Sequence, residues 1–314
     1  MNKAKLVSII MATYNRAEYI AESLRSIQNQ TYENFECLII DDGGNDNTFE
    51  VIEAILKADA RFSFQKRTDN YQKGLPGSRN FGLDLAKGDY IIFFDDDDIA
   101  HPQNLELCVF ELSNKDISFC RYIRGVFTGD FVYEYHYSKK YSSFYIDSRD
   151  INKILRNELQ FNSCAVMWTK ECYTHHRYTE HLMYAEEWEV YARILTSVNK
   201  GISINKTLYY GRKHNVSITG DFGNRNLSSL ASYTDAIELV MANLKDKKMV
   251  STEIIRYFIQ VSLQYKEYNL FERILNTLDL SKKEELKWRL FYGHLPLRLY
   301  FFGIWKKLKK MIHT

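Results

Sequence analysis

Tyr90-Ile91-Ile92-Phe93-Phe94-Asp95-Asp96-Asp97-Asp98 decides the reading of this chain. Residues 90–94 have high β-propensity, follow Gly88, and form a short apolar run that suits a strand buried on both faces of a parallel sheet. Four consecutive carboxylates then repel one another, and a divalent cation would compensate them, since hard oxygen ligands suit Mg2+ or Mn2+. In open α/β sheets ligands bind beyond the carboxyl ends of the strands, which is where these residues fall. The plainer alternative is a solvated acidic turn capping a helix that begins near Pro102.

Working outward, Leu6 to Met11 reads as another buried strand, ending in Ala12-Thr13-Tyr14-Asn15. A helix follows with Ile20, Leu24 and Ile27 on its core stripe. Cys37 to Ile40 is a further buried strand that ends in Asp41-Asp42 and Gly43-Gly44. The next helix is expected at Asn47, with Glu50 completing a capping box and Ile52, Ile55 and Leu56 facing inward. Phe62-Ser63-Phe64 alternates as a short strand. A loop with Gly74, Pro76 and Gly77 leads to Arg79-Asn80 and a helix bearing Leu83, Leu85 and Ala86, with Gly88 at its C-cap. Strands alternating with helices predict right-handed βαβ units and a mostly parallel, doubly wound sheet. There is no G-x-G-x-x-G and no P-loop, which disfavours dinucleotide and P-loop ATP sites.

Beyond Pro102 the pattern changes. A helix to Leu112 precedes Arg124 to Phe127, Gly129-Asp130 and Phe131 to Tyr135, which read as an antiparallel hairpin. A helix from Asp147 to Leu159, a strand from Cys164 to Trp168, a helix over residues 185–193 and strands at residues 202–204 and 208–210 follow. After about residue 225 the chain reads as helices only. These include a capping box at Ser281 to Glu284 and a final helix after Pro296 with Leu297, Phe301, Ile304, Trp305 and Leu308 on one face. Two regions are expected: an α/β catalytic domain over residues 1–220, and an α-helical region over residues 221–314 ending in a basic amphipathic helix.

Hydrophobic content of 45% in 314 residues supports a substantial core, and a net charge of +2 disfavours nucleic acid as a partner. The basic residues nevertheless concentrate at the end, where Lys282 onward holds nine Lys/Arg against two Glu. Five cysteines, odd in number and without a CxxC pair, suit a reduced, cytoplasmic protein. Met1-Asn2-Lys3-Ala4-Lys5 leads straight into a strand without the look of a signal peptide. No apolar run reaches the roughly 20 residues of a spanning helix.

Taken together, Val7 to Arg16, Ile40 to Thr48, Gly77-Ser78-Arg79-Asn80, the acidic turn with Pro102 behind it, and Glu186-Glu187-Trp188 with Arg193 resemble the family 2 glycosyltransferases of GT-A fold. The resemblance covers roughly residues 5 to 215, with its motifs in the family's order. It implies a metal-dependent inverting transfer of a sugar from a nucleotide-diphosphate donor, most simply a UDP-sugar, to a saccharide or lipid-linked acceptor. It implies Asp97 as the metal ligand for Mn2+ or Mg2+, with Asp95 and Asp96 holding metal-bound water or ribose. Asp42 would accept from uracil N3, and Tyr14 would pack on the base beside the backbone of Ala12 and Thr13. Many relatives have Pro where this chain has Ala12. Arg79 either offsets phosphate charge or pairs with a nearby Asp.

By the same resemblance Glu187 is the catalytic base, where the family usually has Asp. The longer side chain sets the base further back or reshapes the acceptor pocket. Glu186 and Glu187 are helix neighbours that cannot point the same way, so one of them is expected to face the acceptor. His214 is a third metal ligand, a phosphate contact, or an isolated surface histidine. Phe161-Asn162-Ser163-Cys164 lines the acceptor side. The final helix either packs internally, makes a dimer, or contacts an anionic membrane surface at the inner face of the cell membrane. Two other functions compete: a sugar nucleotidyltransferase, which would carry a Gly-rich basic loop where Thr13-Tyr14-Asn15 stands, and a nucleotide- or cation-binding module without catalysis.

Overall fold

A computed structural model describes residues 4–138, 140–198, 200–213 and 227–312. The chain divides into two compact units, Met1–Tyr233 and Thr234–Thr314.

The first unit is built on a nine-stranded mixed sheet in the order β3-β2-β1-β4-β8-β6-β9-β5, with β7 also on β9. The strands are β1 (Val7–Thr13), β2 (Phe35–Asp41), β3 (Phe62–Lys66), β4 (Tyr90–Phe93), β5 (Ile99–Ala100), β6 (Phe119–Thr128), β7 (Ser143–Asp147), β8 (Val166–Thr169) and β9 (Lys200–Lys213). The helices are α1 (Ile20–Gln28), α2 (Thr48–Ala58), α3 (Leu75–Leu85), α4 (Asn104–Asn114), α5 (Ile151–Leu155) and α6 (Glu186–Leu195). Strands β3, β2, β1 and β4 run parallel, as alternating βα elements require. Because β1 and β4 are covered on both faces, Ile9, Met11, Ile92 and Phe93 are wholly buried. Gly82 of α3 faces Ile10 so closely that a Cβ would stand 2.4 Å from its Cγ2, so this packing needs glycine there.

Several local expectations change. Asn47 precedes α2 but makes no side-chain cap, and Asp46 Oδ1 accepts from Thr48 N at 3.0 Å instead. An Asx turn one residue earlier thus displaces the capping box. Helix α3 begins at Leu75, so Pro76 and Gly77 lie in its first turn, where Pro has no N–H to lose. Gly88 is not a cap: its N–H donates to Ser8 Oγ at 2.8 Å, and a Cβ there would stand 2.5 Å from Ser8 N.

The hairpin at Gly129-Asp130 does not form. Instead β6 pairs in parallel with β9, Gly125 facing Tyr210 and Thr128 facing Lys213. The residues after Gly129 contribute rings rather than a strand, with Phe131 5.0 Å from Tyr210 and 4.9 Å from Phe127. A long-range ladder has outcompeted a local turn. The two strands expected at residues 202–204 and 208–210 are one strand, β9. The helix expected from Asp147 to Leu159 shrinks to a 3-10 turn and α5, because Asp147 ends β7.

The second unit contains the end of α7 (Leu227–Asp246) with α8 (Thr252–Tyr265), α9 (Tyr268–Leu278) and α10 (Lys282–Ile312). Ile237, Val240, Met241, Phe258, Ile259 and Ile274 are buried there. The capping box at Ser281 forms, with Ser281 Oγ donating to Glu284 Oε2 at 2.6 Å. Pro296 starts no new helix, since α10 runs through it. Buried Trp288 and Leu295 and the Phe271–Tyr292 stack at 4.0 Å favour one register, against a proline cost of about 3 kcal/mol. The expected face of Phe301, Ile304, Trp305 and Leu308 lies outside the described side chains. Among the described residues no helix is long and apolar enough to cross a membrane.

Candidate active site

The parallel register sets the site. Ile10 lies beside Phe93, and Thr13 beside Asp41, so β1, β2 and β4 deliver Thr13-Tyr14, Asp41-Asp42 and Asp95 to Asp98 to one edge of the sheet. Asp42 N donates to Thr13 O at 2.9 Å and locks the two strand ends together. Asp42 Oδ1 accepts from Arg67 Nε at 2.6 Å, Ser78 Oγ at 3.0 Å and Gly74 N at 3.1 Å. All three donors converge on one oxygen and orient the carboxylate. Tyr14 is 48% exposed, with Lys73 Nζ 4.9 Å from its ring centre, and Ala12 lies at the same strand end. The following Asn15 is left-handed (φ 53°), and its Oδ1 accepts from Asn45 N at 2.8 Å.

Each carboxylate of the acidic turn has different partners. Asp95 N donates to Tyr209 OH at 2.9 Å, and its side chain stands 3.5 Å from Arg79 Nη2. Asp96 is buried 3.3 Å from Arg16 Nε, and burial pushes its acid strength down to a pKa of about 7. Asp97 Oδ2 stands 3.7 Å from Arg16 Nη2, and its carbonyl accepts from Arg212 Nε at 2.9 Å. Asp98 accepts from Arg124 Nη2 at 3.0 Å and from Arg212 N at 2.7 Å, with burial raising it to about 8.

Among the described residues, the side chains close enough together to surround a metal ion are Asp95, Asp98 and Cys164, within 4.8 Å of one another. Asp97 falls outside that group. The donor set itself suits a hard cation poorly. Both Asp98 oxygens are taken by cationic or amide donors, and burial pushes the Cys164 thiol up, keeping it a neutral soft ligand. Asp95 and Asp97 are the hard oxygen donors of the turn that these two hydrogen bonds leave in place.

Across from the turn, Ala185 takes a left-handed conformation (φ 64°) and α6 begins with Glu186 and Glu187. Arg79, 2% exposed, gathers both: its Nη1 stands 2.6 Å from Glu187 Oε1 and 3.7 Å from Glu186 Oε1. Both side chains thus stand near one guanidinium, Glu187 hydrogen-bonded to it and Glu186 further off. The length of the two glutamate side chains lets both carboxylates approach the buried guanidinium although their Cβ atoms diverge on the helix. Their acidities separate. Burial, with Glu187 beside it, raises Glu186 to about 7. Burial opposes the charge on Glu187 too, but the Arg79 guanidinium and Ser163 outweigh it and hold Glu187 below the usual carboxylate range. Arg193 turns away to Glu189, at 2.6 Å. His214 lies outside the described residues.

Sequence reasoning passed over Arg16, Arg67, Lys73, Tyr209 and Arg212, and left the role of Ser163 unspecified. Each pairs with a residue tens of positions away, and no local pattern announces such a pairing. The excess of carboxylates over nearby cations at the strand ends was the available signal that distant arginines would converge there.

The sequence profile of Glycosyl transferase family 2 matches residues 8–171, just over half of the 314-residue chain. Glycosyltransferase GlyG of Streptococcus pneumoniae is 25% identical over 90% of this chain and 93% of its own length. The Escherichia coli UDP-Glc:alpha-D-GlcNAc-diphosphoundecaprenol beta-1,3-glucosyltransferase WfgD is 42% identical, but over 36% of this chain and 44% of that protein, so less than half of WfgD is spanned. Among solved structures, S. aureus TarS in complex with UDP-GlcNAc superposes with a TM-score of 0.67 at 18% identity, covering 87% of this chain and 80% of that one. With the parallel strand ends, the acidic turn and the Arg79-linked carboxylates all within or beside the matched span, the chain belongs to glycosyl transferase family 2 and is a transferase of GT-A fold.

Proposed function

We propose that this glycosyltransferase is an inverting, metal-dependent enzyme that moves a sugar from a UDP-sugar to a hydroxyl of a saccharide or lipid-linked acceptor in surface polysaccharide assembly. The observation that carries this is the placement of two carboxylate groups around one cation. Arg79 reaches Asp95 at 3.5 Å on one side and Glu187 at 2.6 Å on the other. Such a site can bind a diphosphate donor at the turn and deprotonate an acceptor at α6.

In this reading Tyr14 packs on the base, the backbone of Ala12 and Thr13 lies beside it, and the Asp42 carboxylate, held by Arg67 and Ser78, accepts from the base edge. Asp96 faces the ribose. Asp97, with Asp95, would hold Mn2+ or Mg2+, and such an ion supplies charge neutralisation of the diphosphate leaving group. Glu187 takes the proton of the acceptor hydroxyl as that oxygen bonds to the anomeric carbon. The bond from anomeric carbon to phosphate oxygen breaks on the opposite face, and the nucleoside diphosphate departs with the electron pair. Being ionised, Glu187 is ready to accept that proton.

The decisive experiment incubates the protein with Mn2+ and a panel of nucleotide sugars and measures UDP release. Release that is lost in Asp97→Ala and Glu187→Gln, both folded, supports the reading. Tight donor binding without release in any condition would favour a binding module instead.

For the acceptor side, the name of WfgD specifies a diphosphoundecaprenol-linked substrate, and α10 presents exposed Leu286, Leu290, Leu297 and Tyr300 along one stripe. These sit at helical spacing on the Lys/Arg-rich segment, which suits a cytoplasmic enzyme lying against an anionic inner membrane face. Liposome flotation of the full chain against Leu290→Glu/Leu297→Glu checks this, and equal flotation on anionic vesicles would remove it.

A further inference from the structure

Glu187 is gripped at both oxygens from two different elements. Arg79 Nη1 on α3 donates to Oε1 at 2.6 Å, and the main-chain N–H of Ser163 donates to Oε2 at 3.2 Å. Ser163 opens the 3-10 turn Ser163–Ala165 that leads into β8, and it is 3% exposed. Its Oγ also accepts from Arg79 Nη2 at 3.2 Å. One residue thus holds the carboxylate with its backbone and the partner cation with its side chain. Glu186, one position earlier, sits 3.7 Å from Arg79 and receives no main-chain donor from this turn.

We propose that Ser163 is a positioning residue whose main-chain N–H selects Glu187 over Glu186 as the proton acceptor and fixes where the acceptor hydroxyl must stand. This rests on the reading of Glu187 as the base. A glutamate side chain has three rotatable bonds to order, and donors at both oxygens supply that order. Arg79 takes a lone pair on Oε1 with a charged donor, whereas Oε2 meets only a neutral amide. Oε2 is therefore the more basic oxygen and the one that receives the proton. The charged and titratable groups facing Glu187 are Arg79 from α3, Asp95 from the acidic turn, Cys164 from the 3-10 turn, Tyr178 from the loop before α6, and Glu186 and Tyr191 from its own helix.

The backbone allows a clean test. Asn162 is extended (φ −102°, ψ 144°), as a residue before proline must be, and the first position of a 3-10 turn accepts the proline φ. Ser163→Pro deletes the N–H, while Ser163→Ala keeps it and removes only Oγ. Steady-state kinetics across pH, with UDP binding and thermal melting as controls, should show kcat of Ser163→Pro reduced roughly tenfold to a hundredfold below that of Ser163→Ala, as loss of a hydrogen bond to a charged group implies. The donor KM should be unchanged, and the acidic limb of kcat/KM should move up in pH, because a carboxylate that loses a donor binds its proton more tightly.

Equal kcat and the same acidic limb in the two variants would overturn the proposal and leave Ser163 a packing residue. Should Ser163→Pro melt early, the two Ser163 variants are compared below its melting temperature, where the same split in kcat and in the acidic limb is expected and its absence overturns the proposal. Glu187→Gln separates the two layers. If it still turns over, the base reading itself fails; if it is inert while the Ser163 variants match each other, only the positioning role fails.

Discussion

Arg79 Nη1 donates to Glu187 Oε1 at 2.6 Å from a side chain that is 2% exposed. A buried guanidinium is stable there because Glu187, Glu186 and Asp95 surround it and the Phe93 and Tyr178 rings face it at 5.5 and 5.4 Å. Removing the cation leaves three carboxylates crowded together without compensation. Arg79→Met should therefore lower stability by roughly 3–5 kcal/mol, the cost of breaking a buried pair from one side. Thermal melting reads this directly. Arg79→Lys should fold better but transfer poorly, since an ammonium cannot span Glu187, Ser163 and Asp95 with one planar fork. A melting temperature for Arg79→Met equal to wild type would show that the carboxylates simply take up protons.

Asp97 and Asp98 are neighbours with different work, and two substitutions should separate them. Asp98 accepts from Arg124 and from the Arg212 main chain, tying the turn to β6 and β9. Asp98→Asn turns an amide NH2 toward either Arg124 or the Arg212 N–H in a buried place, so its melting temperature should fall, with a cost of about 1–3 kcal/mol. Asp97→Asn should keep its melting temperature but lose the gain in UDP affinity that Mn2+ confers, measured by calorimetry with and without chelator. Identical Mn2+ dependence in wild type and Asp97→Asn would move the ligand role to Asp95.

Much of this was legible beforehand because the informative residues lie next to one another in the chain. Tyr90 to Phe94 had to be buried, and the carboxylates after it had to stand at a strand end. What escaped was pairing across long separations. Residues 124–135 looked like a hairpin because Gly129-Asp130 is a good turn locally. The deciding competitor, β9, lies some 80 residues further on, where Tyr210 faces Gly125. The partner of Glu187 escaped for the same reason, since Arg79 stands 108 positions away in the chain. Pro296 looked like a boundary because burial of Trp288 and Leu295 on one continuous helix is a tertiary fact.

His101 offers a test of stability against pH. It is fully buried, its Nδ1 accepts from Gln103 N at 3.0 Å, and the rings of Tyr135 and Tyr137 lie 5.0 and 5.5 Å away. Burial, with Lys206 nearby, lowers its pKa from 6.5 to about 4. The unfolded chain therefore binds a proton below pH 6.5 that the folded chain refuses until about pH 4. Stability contributed by the neutral ring is complete above that window and lost as pH falls through it, on the order of 3 kcal/mol in total. In His101→Asn, whose Oδ1 keeps the acceptor for Gln103, the acid-side fall in melting temperature should be shallower. Parallel curves for the two proteins would assign the acid sensitivity to other groups.

Lys206 is a buried lysine on β9 whose Nζ donates to main-chain carbonyls rather than to a carboxylate. It reaches His136 O at 2.8 Å and also Ser138 O, with Gln103 Oε1 at 3.4 Å. Residues 131–138 form no strand, and these bonds, the Tyr133–Glu22 contact and ring contacts with Phe127, Tyr210 and His101 help hold them to the sheet. An ammonium in such a place must keep its donors satisfied or lose its charge. Lys206→Met preserves the stem and removes the donors, leaving the carbonyls of His136 and Ser138 to water. Amide exchange over residues 129–138 should then quicken while β1, β2 and β4 stay protected, because the core strands do not depend on this segment. Unchanged exchange in that segment would mean the aromatic rings alone hold it in place.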